Sequence, residues 1–311
     1  IGITQQECEY IGFILKADGA WWTEGQVKLK IQPKKNEGEY SGTFFMRDHS
    51  PNKAESVYLV GANHLQMGSI DLERASSPFP SDPKVVQYFK SASAQMPYLE
   101  VISDQTVMLR VPSCNMRVRP VIDSIMKANH ELLTQYPNFI IDIRGNGGGS
   151  DASYEQIIPY LYTNPIRTVG VEFLSTSLNN SRADQLIASG MLSDVDTKLV
   201  MEMKEMMDTR LGDFVPINDS KVTTLEMDTI YRYPEKVAIL IDENNASPSE
   251  QFLLAAKQSQ KVKLYGKTTM GVLDVSNMHF VDAPCGNFQL GYSLSKSFRI
   301  PHMVIDGKGI M

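Results

Sequence analysis

The sequence predicts a mixed α/β chain with a smaller β-rich module at its amino end. Two observations carry this. From Tyr98 onward, apolar and β-branched runs of strand length alternate with stretches of helical periodicity. Before that, residues 1–95 hold only short alternating runs separated by polar turns. Two strand-to-helix corners organise the second part. Phe139–Asp142 is an apolar run broken only by Asp142, and a glycine-rich turn continues from it through Gly149. Val237–Asp242 is a second such run, followed by Asn-Asn-Ala-Ser-Pro-Ser-Glu and a helical pattern.

In the amino-terminal module, Glu24–Gln32 and Tyr40–Met46 alternate, and Ser56–Val60 is a strand-like run. The turns PKKNEGE and RDHSPNKAE separate them. Ser76–Pro83, with three prolines in eight residues, reads as a linker to a core at 96–311. In the core, Leu99–Val111 suggests a hairpin. Val121, Ile122, Ile125, Leu132 and Leu133 stand at helical spacing within 118–135. A helix is expected over Ala152–Tyr162 and a strand over Arg167–Leu174. A helical insert is expected at 178–210, with Ser193-Asp194 as a start signal. There Met201, Met203, Met206 and Met207 suggest a buried face; a mobile lid or substrate-gripping helix pair is the sharper alternative. Val262–Tyr265, Met278–Val281 and Phe288–Ser295 complete the strands.

The 311 residues, 42% hydrophobic, suffice for one large core or two smaller ones. A net charge of −6 with mixed signs gives no nucleic-acid footprint. No apolar run reaches the roughly 18 residues that a membrane span needs. The opening IGITQQECEY has neither the charged region nor the apolar run of a signal peptide. Cys8, Cys114 and Cys285 make no metal-type spacing and read as small hydrophobes, and no cofactor or metal is expected. The five histidines, His49, His64, His130, His279 and His302, likewise lack ligand spacing.

Ser247-Pro248-Ser249-Glu250 fits a capping box, with Ser247 as N-cap, Pro248 at the first helical position and Glu250 reaching back. It also fits a serine exposed at a sheet edge in front of a helix dipole, where a nearby base makes it a nucleophile. The glycines can serve a tight turn and close packing, or their N–H groups can form an oxyanion hole. A nucleotide loop does not fit, since neither GxGxxG nor GK[ST] is present.

IIDIRGNGGGS at 140–150, followed by VAILIDENNASPSEQFLLAAKQSQKVKLYGKTTMG and a closing IDGKGI, resembles the carboxyl-terminal processing (tail-specific) and tricorn-core serine peptidase family. The resemblance runs from about Leu99 to the end. It implies a crotonase/ClpP-like ββα spiral, Ser247 as nucleophile, oxyanion donors from Gly147 and Gly148, and Glu250 as support. It also implies peptide or unfolded-protein substrates and an extracytoplasmic bacterial location. The lysine-dyad members place a lysine where this chain has Val272, which leaves Lys267 as the nearest lysine. The tricorn-like branch uses a histidine ahead of the core, oriented by an acidic residue that Asp306 matches. Ile1-Gly2-Ile3 resembles the residues just after that histidine, as in a chain shortened at its start. His302 is the in-chain base to test. Pro248 lacks the N–H that the family takes from this position. Two other classes stay open: a catalytically degenerate peptide-binding module, which Pro248 and Val272 favour, and an acyl-CoA enzyme of the crotonase type.

Overall fold

The computed structural model describes residues 1–311 except Asp18, Glu37, Ser69, Ser77 and Met191. Those five include one residue each of the expected PKKNEGE turn, linker and helical insert, which at those positions lie outside the described residues. The chain divides into two compact units, Ile1–Lys90 and Ser91–Met311.

The first unit is a seven-stranded antiparallel meander. Its strands are β1 (Gly2–Gln6), β2 (Glu9–Phe13), β3 (Val27–Pro33), β4 (Tyr40–Phe45), β5 (Pro51–Val60), β6 (His64–Met67) and β7 (Ile70–Glu73), each paired with the next in sequence. Alternation along β3 puts Leu29 and Ile31 on one face, where they meet Val57 and Met67 in a small core. The proline-rich stretch expected as a linker leads into α1 (Pro83–Ser93). Pro83 opens this helix, and the Asp82 carboxylate accepts from the Lys84 N–H at 2.8 Å. The prolines thus mark a helix start rather than only a spacer.

The second unit begins with β8 (Tyr98–Ser103) and β9 (Thr106–Arg110), the expected hairpin. The helical pattern at 118–135 forms α2 (Arg119–Ala128) and α3 (His130–Leu133). They break where the Asn129 side chain donates to the Ile125 carbonyl at 2.8 Å. After β10 (Asn138–Asp142), the expected helix at 152–162 is only a 3₁₀ turn at Asp151–Tyr154 and the short α4 (Ile158–Leu161). Pro159 has no N–H to give a continuous helix there.

The expected strand at 167–174 divides at Gly170 into β11 (Ile166–Val169) and β12 (Val171–Leu174), which enter different sheets. Next come α5 (Ser177–Ala188) and α6 (Asp194–Asp208), the latter capped by Ser193. The methionines do not form one buried face: Met207 is buried and Met203 packs beside it, while Met201 and Met206 are exposed. The remaining elements are β13 (Phe214–Pro216), β14 (Val222–Leu225), β15 (Lys236–Ile241), α7 (Pro248–Ala256), β16 (Val262–Gly266), β17 (Val275–Asp282) and β18 (Gln289–Ser297).

A five-stranded sheet in the order β16-β15-β10-β9-β8 forms the centre, parallel from β9 through β16 with β8 antiparallel at one edge. Phe139 and Ile141 of β10 and Val237, Ile239 and Ile241 of β15 pack with Ile122 and Met126 of α2 and Phe252 and Leu253 of α7. This is a mixed α/β fold. The decisive register is Asn138 opposite Lys236 through Asp142 opposite Leu240. Because these strands are parallel neighbours, both corners leave the same edge of the sheet.

Candidate active site

Asp142, the one charge in its strand, is fully buried and anchors the glycine turn. Its carboxylate accepts from Arg144 at 2.6 and 2.9 Å and from buried Arg110 at 3.4 Å. Arg110 also donates to the carbonyls of Asp142 and Arg144, at 3.1 and 2.8 Å. The first residues of the turn are thereby fixed from beneath. Asn146, also fully buried, holds the rest: its Oδ1 accepts from the N–H of Cys114 (3.2 Å) and of Gly148 (2.9 Å), and its Nδ2 donates to the Val111 carbonyl at 3.1 Å. Burial raises the Cys114 thiol to about 11, so it stays protonated beside this loop.

The second corner is laced to the first by side chains. Asp242 Oδ1 accepts from the Gly145 N–H at 2.9 Å. Asn245 Nδ2 donates to the carbonyls of Ile143 and Asn146. The Ser249 hydroxyl donates to the Asn146 carbonyl at 2.8 Å. Ser249 is fully buried, which separates it chemically from Ser247 two residues earlier. Ser247 has φ 57° and ψ −122°, a backbone state that L-residues seldom adopt. Its neighbour across the gap is Gly148, at φ 101°. A Cβ there would stand 3.0 Å from Ser247 Cβ and 2.7 Å from both the Ala246 carbonyl oxygen and Pro248 Cδ. The two turns therefore meet at Ser247, and only a glycine leaves room for that approach.

Glu250 ties the helix start to a third segment. Its buried carboxylate accepts from the Ser247 N–H at 3.3 Å, completing the expected reach back. The Glu250 N–H lies 2.9 Å from the Ser247 carbonyl, so the serine hydroxyl has only a secondary share in that donor. The same carboxylate also accepts from Thr269 Oγ1 (2.6 Å), Gly271 N–H (2.7 Å) and Val272 N–H (2.9 Å). Asp306 continues the pattern, accepting from the N–H groups of Leu273, Asp274 and Val275 at 2.6, 2.7 and 3.1 Å. In this structure it therefore braces the 273–275 segment, and none of the histidines of the chain is bonded to it among the described residues.

Burial by itself would raise the Asp274 carboxyl, but the bond from Arg299 at 2.6 Å and the N–H groups of Asp306 and Ile305 outweigh it and hold it below its ordinary 3.8. A depressed carboxyl stabilises the fold above its unfolded-state value, and that stabilisation disappears as pH falls through the folded-state value. Unfolding titrations should therefore show stability dropping below about pH 4, with a shallower drop in Asp274→Asn. Equal slopes for the two proteins would refute this.

The other expected bases lie elsewhere. Lys267 is exposed and pairs with Glu243 at 2.8 Å. Its ammonium is a surface ion pair, so Lys267→Ala should change stability by less than about 1 kcal/mol and leave any reactivity of Ser247 intact. His302 is exposed in the turn after β18. His130 shares a 2.8 Å bond with the Tyr160 hydroxyl, and His279 is buried in β17. His49 and His64 belong to the first unit. Of the two expected oxyanion donors, the Gly148 N–H is taken by Asn146, while Gly147 is exposed and its N–H has no partner among the described residues. Asn146, Asn245 and Asp242 are the site residues that sequence reasoning passed over. Their only signal is an Asn or Asp inside each turn.

Among the described residues, no group of three or more His, Cys, Asp or Glu side chains is placed to hold a metal ion, and no helix is long and apolar enough to cross a membrane.

A serine at a strained strand-to-helix corner, set against a glycine turn on one sheet edge, is an arrangement that suits acyl-transfer hydrolases. Residues 105–311 match the family model for Peptidase family S41. The chain belongs to that family: it is a hydrolase of the serine-peptidase, carboxyl-terminal-processing kind. No curated protein matches it. Among solved structures it is similar to mature CPAF complexed with lactacystin, at 12% identity and TM-score 0.49, covering 99% of this chain and 76% of that one. It is also similar to a putative peptidase from Parabacteroides merdae ATCC 43184, at 15% identity and TM-score 0.44, covering 80% and 69%. A third is a photosystem II D1 C-terminal processing protease, at 12% identity and TM-score 0.42, covering 85% and 56%.

Proposed function

We propose that residues 96–311 form a serine endopeptidase that cleaves extended peptides or unfolded protein segments, with Ser247 as the nucleophile. The observation that carries this reading is the strained Ser247 backbone packed against Gly148. The exposed Gly147 N–H, one residue before Gly148, serves the same corner in this reading. In this reading the Ser247 hydroxyl oxygen bonds to the scissile carbonyl carbon, and the oxygen that gains charge lies against the Gly147 N–H. A base takes the hydroxyl proton and passes it to the leaving amine, and water then releases the acyl group from the serine. Glu250 supports the corner without touching substrate, and Asp306 supports the segment behind it. The central sheet and its two corners are read as the core of a crotonase/ClpP-like ββα spiral. Residues 1–95 are read as a separate β-rich module, and the location as extracytoplasmic.

A second reading is a peptide-binding module that has lost catalysis. Pro248 and Val272 favour it: the first removes an N–H donor, and the second stands where the lysine-dyad relatives carry their base. Loss of one oxyanion donor costs about 2.7–4 kcal/mol of transition-state stabilisation. Treatment with a fluorophosphonate and an intact mass measurement separate the readings. One adduct on the chain, absent from Ser247→Ala, supports the peptidase. No adduct on either protein supports the binding module. An adduct that survives in Ser247→Ala removes Ser247 as the nucleophile.

A further inference from the structure

We propose that the first unit carries a binding pocket for a small organic anion, a carboxylate on a sugar or aromatic ring whose apolar face packs on an indole. This stands independently of the reading of Ser247. The pocket, about 400 Å³, opens where the end of β2, the turn after it, β3 and the residue pair after β4 come together. Ile14, Lys16, Trp21, Trp22, Lys28 and Arg47 line it.

Its walls are held in place. Lys28 Nζ sits 3.9 Å from the ring centre of Trp22 and 4.6 Å from that of Phe44, and it donates to the Phe45 carbonyl at 2.5 Å. The Arg47 guanidinium lies 4.4 Å from the Trp21 ring centre. His49 packs on Trp22 with ring centres 4.1 Å apart, and its Nε2 is 2.8 Å from the Trp21 carbonyl. The indoles and the cations therefore face the pocket as one preformed surface.

Three features call for an anion. Lys16, Lys28 and Arg47 form no salt bridge among the described residues, and even counting Asp18, close to Lys16 in the sequence, three cations outnumber one carboxylate. Asp48, beside Arg47, is occupied by the hydroxyl and N–H of Ser50, at 2.6 and 3.1 Å. Burial draws the Lys28 pKa down, a desolvation cost that a bound anion offsets. The Trp22 indole N–H is buried with no partner among the described residues. A buried donor without an acceptor is unfavourable, and a carboxylate oxygen supplies one.

Two more features call for a ring and against a peptide strand. Trp21 is 54% exposed and, with Ile14, offers an apolar wall suited to the apolar face of a ring. β3 and β4 are interior strands, paired on both sides, so they have no free main-chain edge for an added strand.

The chain has two tryptophans, Trp21 and Trp22, and both line the pocket, so intrinsic tryptophan fluorescence reads it alone. The intact chain is titrated with glucuronate and with benzoate to about 10 mM, the range of a weak small-molecule site. Glucose and benzyl alcohol serve as neutral counterparts. A saturable change with an anion and none with its neutral counterpart is expected, and whichever anion saturates identifies the ring type. The paired substitution Lys16→Gln and Arg47→Gln should weaken that affinity about tenfold or more, with an unchanged far-UV spectrum. Saturation by neither anion, equal responses to neutral and charged compounds, or full affinity in the folded double variant would overturn the proposal.

Discussion

Glu250→Ala is expected to lower the unfolding free energy by about 3 kcal/mol or more, because it strands buried donors at about 1–3 kcal/mol each. Three N–H groups, those of Ser247, Gly271 and Val272, and the Thr269 hydroxyl converge on this one carboxylate. Four donors satisfy the oxygens of this one buried carboxyl group, and no cation pairs with it among the described residues. Removing it also disconnects the start of α7 from the 269–272 segment. Glu250→Gln keeps the shape but turns an NH₂ group toward donors, so its loss should fall between wild type and alanine. Urea titration of the three proteins measures the series. A Glu250→Ala loss below about 1 kcal/mol, within the range of an ordinary surface change, would show that the carboxylate does not hold these segments together.

Gly148→Ala and Gly147→Ala should behave oppositely although the residues are neighbours. At Gly148 a Cβ meets the Ala246 carbonyl oxygen and Pro248 Cδ at 2.7 Å, with the backbone at φ 101°. Strain of that kind costs about 1–3 kcal/mol and is relieved only by moving the serine corner away. At Gly147 nothing lies within 4 Å of an added Cβ, so alanine should be close to neutral in stability. If Ser247 reacts with a fluorophosphonate, its labelling in Gly148→Ala should slow by about a hundredfold, the effect of a misplacement near 1 Å. Thermal melts and labelling rates of the two variants test the pair. Equal stability of Gly148→Ala and Gly147→Ala would refute the close approach of the two turns.

Much of this molecule was legible in its residues. The runs at Phe139–Asp142 and Val237–Asp242 are strands because short apolar runs rich in Ile and Val, bounded by turn residues, suit a buried strand. Ser193 and the Ser247–Glu250 corner announced helix starts through side chains that bond local N–H groups. The signal failed where a local cue had two meanings. Prolines at 78–83 read as a linker, yet Pro83 opens α1, since proline suits both. The Met201–Met207 cluster read as one buried face, but helical geometry turns Met201 and Met206 outward. Strand 167–174 read as one piece, because Gly170 gave no warning that its halves join different sheets.

The sequence by itself determined the strands β10 and β15 and the helix starts at Ser193 and Ser247, and placed a glycine turn and a serine at the ends of those two strands. Those are local properties, set by side-chain periodicity, capping and the backbone freedom of glycine. Only the tertiary structure decided that β10 and β15 are parallel neighbours, which brings Gly148 against Ser247. It alone committed the Gly148 N–H to Asn146, Lys267 to Glu243 and the Asp306 carboxylate to the 273–275 backbone. A hydrogen bond between residues distant in the chain depends on strand order and register, which local sequence does not encode.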